Sequence, residues 1–544
     1  MMVASNSLGF PLVSIIVFLP IAVAGLSLLI DSFVGEDSRR TVVLALVAAA
    51  VDFVLAVWLL VAFKLTPGPT GGPWLLQFSD SHYWIGLFGV RYWVGVDGFS
   101  VFLVPLTTLI VGLAMVAANF MIVERRSLYM LLMLSLETAL LGVFVSANLF
   151  LFFVFWEAML IPMYFLIGLW GEARRVYATF KFVVYTMAGS FLMLVGLFYL
   201  WAQTGTLDMP GPGGLVAHLA GHPLSISQQY WLFLAFGLAF AIKLPIFPFH
   251  TWAPSAYAES PIPTVIVLSG IMSKAGAFGL LRYSLPLFPH AARDLAGPVS
   301  ILAIVGILYA AGLALVQQDI KRIVAYASIS HVNLIALGIF SLNSIGFDGS
   351  VLQIVNHSVI ITGLFLGVAY ITSRTGSRMI RDLGGLGVHR PILMWLFFVF
   401  VLAGLDLPGL SSFAGEFLIL LGTFRTNAWF ASIAALVTII AAWYMIRLFQ
   451  DTMNGPIVAA PQQTAEYVED TQRSVYEYPV VRRLLSGDLL PREIGLLVPL
   501  LALIVYIGIQ PDPLTARIDQ TANPVTTIVH SSGTTSTSPV GGGR

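Results

Sequence analysis

The sequence predicts an all-α, polytopic membrane bundle of about 14 transmembrane helices. Three observations carry that reading. Apolar residues make up 58% of the chain and charged residues only 10%, with a mean hydropathy of +0.90, whereas soluble domains carry about 25% charged residues. The apolar runs reach the roughly 20 residues that a spanning helix needs, far beyond the alternating ~9–11 residues of a barrel strand. Basic residues also segregate between alternate loops, as the positive-inside rule requires.

In chain order the runs fall at 10–31, 41–63, 98–123, 128–146, 148–170, 178–202, 229–248, 261–284, 298–316, 322–342, 352–373, 391–424 (broken), 427–450 and 494–511. The first reads as a retained helix, because no basic region precedes it. With the N-terminus outside, Arg39, Arg40, Arg125, Arg126, Arg174, Arg175, Lys321, Arg322, Arg374 and Arg378 all fall inside, and both termini lie on the outer side. Residues 64–97 form an outside connection whose Trp74, Tyr83, Trp84, Tyr92 and Trp93 suggest an interfacial hairpin or amphipathic segment. The expected parts are 1–127 (three helices and the outside loop), 128–297 and 298–450 (two repeats), 451–493 (a polar cytoplasmic linker), 494–516 (a last spanning helix) and 517–544 (a Ser/Thr/Gly-rich disordered tail).

Net charge is zero, so nothing points to nucleic acid as a partner, and the bilayer is the evident surrounding. The absence of cysteine excludes disulfides, thiolate-held iron–sulfur clusters and Cys-ligated zinc. There is no Gly-rich phosphate loop after a strand, no metal-ligand cluster by spacing and no nucleophile constellation, which disfavours an active site within this chain.

What remains is a set of ionisable residues inside apolar runs. Two of only five lysines, Lys243 and Lys274, sit at mid-span, where a lysine costs about 2.5–3.5 kcal/mol on insertion scales. Pro245 and Pro248 interrupt the helix just after Lys243. A half-helix C-terminus there favours a cation. Lys274 lies among Gly270, Ser273, Ala275, Gly276 and Ala277, which permit close packing and leave room for water. Glu157 lies in FLFFVFWEAMLIPMYFLIGLW, and Lys243 is its natural partner. Glu416 follows a second break at Pro408 and Gly409, about 12 Å further along if helical. His331 is a candidate proton relay, with His250 and His357 as weaker ones. Glu137 and Asp406 also lie in apolar runs, each as readily a local hydrogen-bond partner as a path member, and Asp52 is less specific. The two breaks lie five helices apart, an odd offset that inverts the second copy. Paired interrupted helices in two inverted five-helix repeats point to an ion or proton path.

GVDGFS at 95–100, FWEAMLIPMYFLIGLWG at 155–171, KLPIFPFHTWAPSAYAESP at 243–261, SGIMSKAG at 269–276, QDIKRIVAYASISH at 318–331 and LPGLSSFAGEFL at 407–418 together resemble the antiporter-like subunits of proton-pumping NADH:quinone oxidoreductase, respiratory complex I. The resemblance covers roughly residues 95–450. An acid at Glu416, where the other large subunits and the multi-subunit cation/proton antiporters use lysine, is similar to the M-type branch. The resemblance implies a path through Glu157 paired with Lys243, Lys274, His331 and Glu416. It implies no cofactor in this chain, with FMN, iron–sulfur clusters and quinone in partner subunits. The implied partners are the other membrane and peripheral subunits, especially other antiporter-like ones, in a bacterial plasma membrane. Asp406 departs from the family pattern. A subunit of a sodium/proton antiporter is the main rival reading, and a structural spacer the second.

Overall fold

A computed structural model describes residues 9–34, 39–65, 75–86, 89–456 and 487–531. Most of the 451–493 linker and the last residues of the tail lie outside them. Among the described residues twelve helices are long and apolar enough to cross a membrane. They include α1 (Leu12–Val34), α2 (Arg39–Ala62), α3 (Leu103–Met121), α4 (Arg126–Val145), α5 (Leu149–Trp170) and α6 (Arg175–Thr204). Two further helices are interrupted, as the prolines predict. α7 (Ile226–Lys243) is followed by α8 (Trp252–Glu259), and after α9 (Ile262–Leu287), α10 (Pro289–Val316), α11 (Ile320–Ile339) and α12 (Ser344–Thr375), α13 (Pro391–Gly404) is followed by α14 (Ser411–Thr426). α15 (Ala428–Met453) and α16 (Pro491–Ile509) complete the apolar set.

The helices divide by burial. The apolar windows of α9 and α12 are 100% buried, whereas those of α1, α15 and α16 are 33% buried. Apolar side chains such as Leu28, Val54 and Val61 project from α1 and α2, which suits a lipid-facing surface. The interior around α9 and α12 is therefore walled by protein on every side, the setting in which non-helical backbone is tolerated at membrane depth.

Each break is stitched by side chains from neighbouring helices, because backbone groups freed at a break must find partners. At the first, Trp252 Nε1 donates to Ile242 O (2.8 Å) and Asn333 Nδ2 to Pro245 O (3.2 Å), while Asn333 Oδ1 accepts from Phe247 N (3.3 Å). At the second, Asn356 Nδ2 donates to Ser411 O (2.6 Å) and Gln353 Nε2 to Ser412 Oγ (2.8 Å). Asp406 and Gly409 turn this second break with φ of 61° and 94°, the left-handed region that only glycine, asparagine and aspartate enter readily. Gly508 of α16 packs directly on it, since a Cβ there would lie 2.5 Å from Gly409 O.

α9 departs from regular geometry in a way that the sequence does not announce. π turns at Leu268–Met272 and Leu280–Ser284 flank the segment Lys274–Gly279. Such turns release backbone carbonyls and cluster at functional sites. α10 and α12 also begin earlier than their apolar runs. Pro289 is at the N-terminal end of α10, and Asn343 Oδ1 caps α12 by accepting from Gly346 N (3.0 Å).

The aromatic connection before α3 is a β-hairpin, β1 (Gln77–Ile85) antiparallel to β2 (Val90–Val96). The tail corrects the sequence reading. The expected disorder from residue 517 gives way to a helix, α17 (Asp512–Ser531). Its Ser/Thr-rich composition hides a helical period: Leu514, Ile518, Ala522, Val525 and Val529 form one buried face. Thr521 Oγ1 accepts from Gly98 N (3.0 Å), and His530 Nε2 lies 2.9 Å from Leu342 O. Residues 532–544 lie outside the described residues.

Candidate proton path

Lys243 ends α7 with its Nζ buried and without a hydrogen-bond partner. It lies 5.0 Å from the centre of the Trp156 ring and 5.9 Å from that of Phe182, so the cation rests on aromatic faces. Trp156 is itself held by its Nε1 donating to Ser190 Oγ (3.0 Å). The expected Glu157–Lys243 ion pair is not closed, because Glu157 Oε1 is also without a hydrogen-bond partner. The two groups act on each other electrostatically without touching. The sequence stretch FWE contains the Trp156 indole, and its place beside Lys243 emerges only with the fold.

Lys274 is a different kind of site. Its Nζ donates to Ser269 O (2.5 Å) and Ser273 Oγ (3.3 Å) and meets His357 Nδ1 at 2.7 Å. The π turn just before it exposes Ser269 O for this contact. His357 in turn stacks at a tilt on His331, with ring centroids 5.8 Å apart. Beyond His331 stand Asp406 and Glu416, and one potential ligand atom from each of the three lies within 4.8 Å of the others. Glu416 Oε1 accepts from Thr438 Oγ1 (2.8 Å). Lys274, His357, His331, Asp406 and Glu416 thus form one connected group. His357, the weaker histidine by sequence, is the member that joins Lys274 to the rest.

Other candidates fall elsewhere. His250 packs against Phe247 (5.5 Å) and Tyr309 (5.4 Å) at the first break and contacts none of the connected group. Glu137 of α4 interacts with Asp52 of α2; both are fully buried, and no carboxylate oxygen of either has a hydrogen-bond partner.

A network missed by the sequence reading anchors the far end of the first broken helix. Lys321 Nζ donates to Ala258 O (2.6 Å), Ser260 O (2.6 Å) and Glu172 Oε1 (2.9 Å), and Arg378 Nη1 donates to the same Glu172 oxygen (2.6 Å). A lysine on the last carbonyls of α8 satisfies groups that a helix end leaves open. Burial pushes the Glu172 carboxyl up, but Lys321 and Arg378 outweigh it and hold the group below its ordinary value of 4.5. Its contribution to stability is therefore full above about pH 4.5 and is lost as pH falls below that. Thermal unfolding of the assembled protein between pH 6 and 3.5 should show the loss, and Glu172→Gln should flatten that part of the profile.

The sequence model described as NADH:quinone oxidoreductase/Mrp antiporter, TM, matches residues 146–441, more than half of the chain. NADH-quinone oxidoreductase subunit M of Rhodobacter capsulatus is 36% identical over 514 residues, covering 93% of this chain and 94% of that protein. The chain belongs to the subunit M family of NADH-quinone oxidoreductase. Subunit M of Rickettsia prowazekii (strain Madrid E) agrees, at 34% identity over 507 residues and 93% and 97% coverage. A chain of respiratory complex I from Thermus thermophilus with bound NADH superposes with a TM-score of 0.80 at 29% identity, over 95% of this chain and 99% of that one. The family span contains Glu157, Lys243, Lys274, His331, Asp406 and Glu416, but neither α1 nor α17.

Proposed function

We propose that this subunit M family member moves protons across the membrane within NADH-quinone oxidoreductase, through Lys243, Lys274, His357, His331 and Glu416. The observation that carries the reading is the connected group that runs from Lys274 and His357, on the fully buried helices α9 and α12, through His331 of α11 to Asp406 and Glu416 at the second break. Buried ionisable groups of this kind are too costly to serve as packing alone. Redox chemistry belongs to partner subunits, which hold the flavin, the iron–sulfur clusters and the quinone. This chain supplies proton sites only.

The first step is electrostatic. Negative charge on Glu157 favours the protonated form of Lys243, while the Lys243 ammonium rests on the Trp156 ring and not in a closed ion pair. Displacing Glu157 or altering its charge then changes the affinity of Lys243 for its proton by about 1.36 kcal/mol for each tenfold step. Water carries the proton on to Lys274, whose contact with His357 opens the direct part of the path. Glu416, beside the second break, is the terminal station towards the outer side, and both termini lie on that side. The two interrupted helices then belong to inverted repeats with a site at each.

Lys243→Ala and Glu157→Gln should each lower NADH-driven pumping in proteoliposomes several-fold while leaving the amount of assembled complex near wild type. Wild-type pumping by both variants in assembled complex would remove the first half of the path. A sodium/proton exchanger is the rival, and sodium-driven proton movement without NADH would favour it.

A further inference from the structure

We infer that His331, Asp406 and Glu416 form a binding site for a divalent cation of the zinc class. The three side chains come from α11, the second break and the start of α14, so no sequence spacing relates them. A ligand atom from each lies within 4.8 Å of the other two. Zinc bonds of about 2.0–2.2 Å in a tetrahedron put ligand atoms roughly 3.4 Å apart. Side-chain shifts of about 1 Å would close the site without moving the backbone.

The two carboxyls hydrogen-bond to each other, an interaction that a bound cation would replace. Asp406 and Glu416 are 4% and 3% exposed, and with both ionised neither Asp406 oxygen nor Glu416 Oε2 accepts a hydrogen bond, which leaves them aimed at one point without a balancing charge. Thr438 occupies Glu416 Oε1 and so orients Oε2 as the remaining donor. Two carboxylates and a neutral imidazole balance a double positive charge. One nitrogen and two oxygens suit zinc, whereas magnesium and calcium prefer six or more oxygen ligands. A fourth position is left for water. Asp406, which departs from the family pattern, is the residue that completes the set.

Binding rests on this geometry alone. Its consequence, that a bound cation occupies the last acceptors and stops pumping, rests on the proposed path. The test is equilibrium binding of radioactive zinc to the purified, assembled complex. Wild type should bind one zinc more than Asp406→Asn, with affinity at that site falling by about tenfold or more in the variant. Should the variant assemble poorly, wild type alone suffices: zinc should protect Glu416 from labelling by a hydrophobic carbodiimide, read by mass spectrometry. Equal zinc content in wild type and variant, or undiminished labelling of Glu416, overturns the site. An Asp406-dependent zinc that leaves pumping unchanged keeps the site and overturns a path ending at Glu416.

Discussion

Leucine in place of His357 should lower NADH-driven proton pumping about tenfold or more, with the complex still assembled. His357 Nδ1 accepts from Lys274 Nζ at 2.7 Å, and its ring reaches His331. Leucine fills a comparable volume in the fully buried interior of α12, so packing loss stays small. It removes the side chain that joins Lys274 to the His331 group. The lysine keeps Ser269 O and Ser273 Oγ but loses its third partner. Leaving a buried donor unpaired costs about 1–3 kcal/mol, and each 1.36 kcal/mol on a barrier is a factor of ten in rate. The measurement is the initial rate of acidification or alkalinisation in proteoliposomes, normalised to assembled complex. His250→Leu is the internal control, because His250 sits between Phe247 and Tyr309, away from the group. Wild-type pumping in His357→Leu would mean that protons pass Lys274 by another way.

The contrast between these two histidines shows what a sequence holds and what it does not. Helix spans, the two breaks and the buried lysines are written in local signals: apolar run length, proline position, one charge among twenty apolar residues. Both breaks and both lysines appear in the structure where those signals place them, and the spans do so apart from their ends, since α10 and α12 begin earlier than their apolar runs. Which histidine meets which lysine is written nowhere locally. Lys274 and His357 lie on different helices, and their contact depends on the π turn at Leu268–Met272, which shifts the register of α9. The Trp156 ring beside Lys243 and the grouping of Asp406 with His331 are tertiary in the same sense. The tail helix α17 was hidden for another reason. Its buried stripe is thin, and threonine and alanine take places where a sequence reading looks for leucine. GVDGFS marked the family, yet its role emerges only with the fold. Asp97 Oδ1 accepts from Phe99 N (3.1 Å), Ser100 N (3.0 Å) and Ser100 Oγ (3.0 Å), a turn closed on a carboxylate.

The same Asp97 forms an ion pair with Arg282, at 1% and 3% exposure, and this pair carries the largest expected effect on stability. Arg282→Leu leaves the Asp97 carboxylate buried beside leucine. Breaking a buried pair by removing one partner costs about 3–5 kcal/mol, whereas replacing both partners is often close to neutral. The single variant should therefore accumulate poorly and melt several degrees lower, and Asp97→Asn combined with Arg282→Leu should regain most of the loss. Membrane content by quantitative immunoblot and thermal unfolding in detergent read both effects. A double variant as unstable as the single would show that the arginine acts through other partners. Arg282 lies within the second π turn of α9, eight residues beyond Lys274 and about 12 Å along the helix. Pinning that turn to the loop before α3 fixes the rotation of α9, and with it the direction in which Lys274 points. Any pumping that survives in the assembled fraction of Arg282→Leu should thus be lower than in the double variant, since only the single leaves an unpaired charge free to pull the turn out of place.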